Sequence, residues 1–100
     1  MPTDRVLPSG LVAERATPTF TAESVPPALL RAHHTAAWAE LVVHTGSVRF
    51  VEEDPTWATT VEVGHQQVIV PYRKHHIEPS ADAEFHVQFY VEPEPVPPQP

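Results

Sequence analysis

The sequence predicts a small all-β domain, a barrel or sandwich with at most one short helical turn, and three observations carry that expectation. The chain has 100 residues, enough for one core and no second. Thirteen prolines against three glycines leave many rigid corners and little room for long helices. From residue 37 onward, apolar residues recur at every second position in short runs, spaced about eight to twelve residues apart by turn signals. Hydrophobic residues make up 41% of the chain, which fits a folded domain rather than a disordered one.

Each element has its own reason. Residues 1–10 are polar and broken by Pro2, Pro8 and Gly10, the pattern of a mobile lead-in. LVAERATPTFTA (11–22) contains Pro18, which suits an edge strand. In SVPPALLR, Ser24 is placed to cap one helical turn, with Pro26 and Pro27 in its first positions. AWAELVVHT (37–45) alternates, with Ala37, Ala39, Leu41 and Val43 on one face and Trp38, Glu40, Val42 and His44 on the other. Gly46 makes the turn. SVRFVEED (47–54) sets Val48 and Phe50 against Arg49 and Val51, and Asp54-Pro55 ends it. WATTVEV (57–63) is rich in β-branched residues and closes at Gly64-His65; QQVIVP (66–71), HHIEP (75–79) and EFHVQFYV (84–91) complete the series. The domain is expected to run over 11–91. From Glu92 the acidic, polyproline-like EPEPVPPQP cannot pair in a sheet and is expected to be a disordered tail.

Composition narrows the function classes. Net charge is -7 with histidines neutral, and Arg73-Lys74 is the lone basic pair, so a nucleic-acid partner is not expected. The N-terminus lacks the charged start and apolar stretch of a secretory signal, and no apolar run reaches membrane-spanning length. A soluble cytoplasmic protein is the expectation. With no cysteine, disulfides, thiolate nucleophiles and zinc fingers are excluded, so any metal would be held by imidazole and carboxylate. Seven histidines beside six lysines plus arginines are the compositional oddity.

Strand parity sorts those histidines. In HHIEP, His76 and Glu78 share one face and His75 and Ile77 the other; in EFHVQFYV, His86, Gln88 and Tyr90 oppose Phe85, Val87 and Phe89. A barrel interior with a polar wall would collect His76, Glu78, His86 and Gln88, and His75 would turn away. Two imidazoles plus a carboxylate form a common set for zinc, nickel, manganese or iron(II). His33 or His34, His76, and one of Glu40 or Glu78 meet that description. The competing reading makes these histidines polar surface or hydrogen-bonded wall residues.

Longer spacings bring in a family. His33-x-Thr35-x4-Glu40-x5-Gly46 resembles the first cupin motif with Thr35 in place of its second histidine, and Gly64-x6-Pro71-x-Arg73-x2-His76-x3-Ser80 resembles the second. TPTFTAESVPPALLRAHHT, WAELVVHTG, VPYRKHHIEP and FHVQFYVEP, in that order, resemble the small cupin-like family found alone and as the N-terminal domain of tellurite-resistance protein B, over residues 15–91. The resemblance implies a six- to eight-stranded jelly-roll cupin barrel, a homodimer, and a pocket lined by His33, His76 and Glu78 that holds a divalent metal. Glu40 stands where many relatives carry a basic residue and Gln88 where a glutamate is common, so Glu40 or His86 is expected to supplement the set. The family's activity is undefined. A metal-dependent enzyme acting on a small molecule, linked by the resemblance to tellurite or oxidative stress, is the leading expectation. A non-catalytic module that binds or senses a small ligand or metal is the alternative, and a barrel kept for dimerisation the third.

Overall fold

A computed structural model describes residues 5–53 and 55–93. Eight strands and one 3-10 turn make the domain: β1 (Val12–Ala16), β2 (Phe20–Thr21), the turn Pro27–Leu30, β3 (Ala39–Thr45), β4 (Ser47–Glu53), β5 (Thr56–Glu62), β6 (Gln66–Ile69), β7 (His75–Pro79) and β8 (Glu84–Val91). All pairings are antiparallel. β1-β8-β3-β6, with β2 also on β8, form a five-stranded sheet; β5-β4-β7 form a three-stranded one. The two sheets make a cupin-like sandwich.

The core lies between the sheets, where the alternating apolar residues of each strand meet. Ala39, Leu41 and Val43 of β3, Phe85 and Val87 of β8, Val48 and Phe50 of β4 and Ile77 of β7 are all buried. Phe50 and Phe85 are wholly excluded from water, and each such burial is worth about 1.5–3 kcal/mol. The segment expected as one edge strand with Pro18 inside it is two short strands, β1 and β2, both paired to β8, with Pro18 in the break between them.

One local expectation is corrected. Ser24 does not cap the 3-10 turn; Pro26 stands at its N-cap with Pro27 following, and prolines have no N–H for a hydroxyl to accept from. The Ser24 hydroxyl instead accepts from the Thr21 N–H at 2.8 Å. The lead-in is anchored at Arg5, whose Nε donates to Glu52 Oε1 at 3.1 Å and whose guanidinium lies 3.7 Å over the Trp57 ring. Residues 1–4, Asp54 and the tail from 94 lie outside the described residues.

Gly46 turns the chain from one sheet to the other with φ +67. The β7–β8 connection packs against it: a Cβ there would meet Asp82 Oδ1 and Ser80 Oγ at 2.6 Å and Ala83 Cα at 2.9 Å. Gly64 has φ +86 but open space around it. Gly46→Ala is therefore expected to destabilise the domain by about 2 kcal/mol or more, and Gly64→Ala by only about 1 kcal/mol, the cost of the left-handed backbone alone. Urea unfolding of both variants measures the difference.

Candidate functional site

β7 decides where the histidines go. Ile77 pairs with Phe50 and is 5% exposed, so parity carries His75, 2% exposed, into the sandwich and sends His76 and Glu78 out. The expectation that His75 turns away is reversed. The same logic holds on β8 and β3: Phe85, Val87, Ala39 and Leu41 take the interior, leaving His86, Gln88, Tyr90, Glu40 and His44 on the outer face. The polar wall faces outward because the apolar residues fill the core first.

His33, half-buried, lies beside His75. The segment before β3 makes a backbone bridge to β7, His33 N–H to His75 O at 3.0 Å and His75 N–H to His33 O at 2.8 Å. The two rings lie edge to face with centroids 4.3 Å apart, and the Phe50 ring is 5.2 Å from His75. Each Nδ1 meets a main-chain carbonyl: Arg31 O at 2.8 Å for His33, Arg73 O at 3.0 Å for His75. A carbonyl only accepts, so each Nδ1 carries the proton, and a ring in its neutral form keeps a bare Nε2 lone pair. Burial pushes His75 down to about 4, outweighing the Arg73 carbonyl that favours its charged form, so the ring is neutral at pH 7.

These two rings border a partly enclosed cavity of ≈ 80 Å³, lined also by Thr17, Leu29, Thr35, Leu41, Ile69, Ile77, Val87 and Phe89. Both threonine hydroxyl protons are already committed, Thr17 to Pro18 O at 2.9 Å and Thr35 to Ala37 O at 2.8 Å. The lining side chains thus offer no free donor, and the surface they turn to the cavity is almost wholly apolar. The turn after β6 is closed by the Arg73 N–H on Val70 O at 3.5 Å and tied to the segment before β3 by the Tyr72 N–H on Thr35 O at 2.8 Å. Tyr72 follows Pro71 with φ +66, the backbone that the third residue of a type II turn requires.

The remaining expected ligands lie elsewhere. His76 bridges Glu53 on β4 and Glu78 on its own strand, Nδ1 to Glu53 Oε2 at 2.6 Å and Nε2 to Glu78 Oε2 at 2.8 Å. Those two carboxylates, Glu78 foremost, raise its pKa against a smaller opposing effect of burial. Glu40 accepts from the Tyr90 hydroxyl at 2.6 Å, which pushes Tyr90 up to about 12. His86 meets His44 at 2.6 Å between ring nitrogens, and burial lowers its pKa. Gln88 donates to Arg15 O and Phe89 O. His33 is therefore not brought together with His76 and Glu78, and among the described residues no group of three His, Asp or Glu side chains could hold a metal ion. His75 and Glu53 are the functional neighbours that sequence reading missed; the apolar Ile77 was the available signal for the first, and the second needed the β4–β7 register.

The two adjacent histidines titrate in opposite senses. His76 has its folded pKa raised, so its stabilisation is complete below about pH 6.5 and is lost as pH rises through the folded value. His75 has its folded pKa lowered, so its contribution is complete above about pH 6.5 and is lost as pH falls toward about 4. In unfolding free energy measured against pH, His76→Gln is expected to flatten the alkaline decline and His75→Phe the acid one. Unchanged profiles would contradict these placements.

Comparison with known proteins follows from this geometry. A TehB-like domain model matches residues 15–87. The crystal structure of an Escherichia coli K12 protein from the Northeast Structural Genomics Consortium superposes with a TM-score of 0.83 at 24% identity, covering 89% of this chain and 98% of that one. The crystal structure of TehB from Haemophilus influenzae superposes with a TM-score of 0.75 at 24% identity, over 84% of this chain but 32% of that one. At such identity both are likenesses of fold, and no curated protein matches the chain. No helix among the described residues is long and apolar enough to cross a membrane. With an eight-stranded sandwich and a family model matched over most of its length, the chain belongs to the TehB-like domain family.

Proposed function

We propose that this domain is a non-catalytic module binding a small, largely apolar molecule that brings its own O–H or N–H donor. The observation that carries this reading is the pair of bare Nε2 atoms on His33 and His75, fixed by carbonyl-bound Nδ1 groups beside an apolar cavity. An apolar ligand displaces water from Leu29, Leu41, Ile69, Ile77, Val87 and Phe89, and a hydroxyl proton on it meets a lone pair that has no other partner among the described residues.

A divalent ion on the same two imidazoles is the second reading, favoured because Nδ1–H to carbonyl bonds are the arrangement that orients metal-binding histidines. Zinc, nickel, manganese and iron(II) all accept imidazole. The three-ligand set of His33, His76 and Glu78 does not fit this geometry, because β7 sends its second and third members to the opposite face; we derive no chemistry through a metal there. A homodimer is proposed from the family and from the open edges of β5 and β6, and the link to tellurite or oxidative stress from the family alone.

Calorimetry with phenol and benzene tests the main reading. Phenol is expected to bind about three- to tenfold more tightly than benzene, the worth of one neutral hydrogen bond, and His75→Phe is expected to erase the difference. Equal affinities for the two would sink it. Elemental analysis of dialysed protein separates the second reading: metal retained by the native chain and by His76→Ala but lost from His33→Ala and His75→Ala would favour it.

A further inference from the structure

Arg15 and Arg31 are the arginines with no carboxylate within salt-bridge distance among the described residues, and Arg15 is the one whose guanidinium lies over a cavity-lining ring. The chain is strongly acidic, and Arg5 and Arg73 approach Glu52 while Arg49 approaches Glu78. The Arg15 guanidinium lies 4.1 Å over the ring of Phe89. Phe89 lines the cavity, and so does Thr17, two residues along the same face of the chain from Arg15. The register explains the placement. Ala13 and Ala16 pair with Tyr90 and Gln88, which face outward, and with the bulge between them Arg15, exposed on this edge strand, lies over Phe89 at the rim of the cavity. Thr17 continues the same wall, its N–H donating to Val87 O at 2.9 Å and its hydroxyl accepting from the Val87 N–H at 2.9 Å.

We propose that Arg15 is the anion-binding residue of this pocket, and that the ligand is a small apolar or aromatic carboxylate carrying a hydroxyl. This rests on the small-ligand reading above. The hydroxyl supplies the donor that His33 and His75 lack, the apolar body fills the cavity, and the carboxylate takes the fork of donors on Arg15 at its rim. The Phe89 ring holds the guanidinium flat through its face and leaves the edge N–H groups for the ligand.

Calorimetry with phenol, 4-hydroxybenzoate and the Arg15→Gln and Arg15→Lys variants tests it. The native chain is expected to bind 4-hydroxybenzoate about tenfold more tightly than phenol at low salt, an advantage that shrinks as salt is raised. Arg15→Gln is expected to abolish the advantage while leaving phenol affinity unchanged, which also shows that the pocket is intact, and Arg15→Lys to keep part of it. If phenol binds but 4-hydroxybenzoate gains nothing, or if Arg15→Gln keeps the gain, the role of Arg15 is refuted and the small-ligand reading stands. If neither compound binds the native chain, both fall together.

Discussion

Ile77 is the residue on which the arrangement turns. It is the large apolar side chain of a five-residue strand and it packs under Phe50, so the inward face of β7 is fixed by the core. Everything polar on that strand is then assigned by a period of two. His75 must be buried beside it, and His76 and Glu78 must face out. A slip of one residue would expose Ile77 and bury a carboxylate, an exchange that hydrophobic burial and charge desolvation both oppose.

Burying His75 has consequences of its own. A neutral imidazole in the interior costs less than an imidazolium, and its remaining N–H needs a partner, which the Arg73 carbonyl supplies. His33 repeats the device with the Arg31 carbonyl. The backbone bridge between the two residues then holds both rings at one wall of the cavity. The same requirement that makes buried histidine tolerable thus fixes which nitrogen is left for a ligand, and the pocket acquires its chemistry from backbone geometry.

Much of the fold was legible in the residues. The alternation over 37–45, 47–54 and 84–91 picked out the inward residues of β3 and β8 and Val48 and Phe50 of β4, and Gly46 marked a turn that the structure contains, while Pro18, read as part of one edge strand, falls between two. Parity also separated His75 from His76 correctly. Which side was inside was harder to read, because HHIEP holds one apolar residue and the motif spacing drew attention to His76. The pairs His76–Glu53, His44–His86 and Arg5–Glu52 join residues 23, 42 and 47 positions apart and exist only through strand register and chain return, which local pattern does not encode. The placement of Arg15 over Phe89 goes with a bulge, and no spacing in the sequence announces one.

The tautomer of His33 and His75 is the central claim, and nitrogen-15 NMR of the imidazole rings measures it directly. In their neutral forms, His33 and His75 should each show a protonated Nδ1 and a bare Nε2, and phenol should shift the Nε2 resonances of these rings while leaving His65 in place. A protonated Nε2 on either ring, or phenol shifts confined to the surface histidines, would contradict the account.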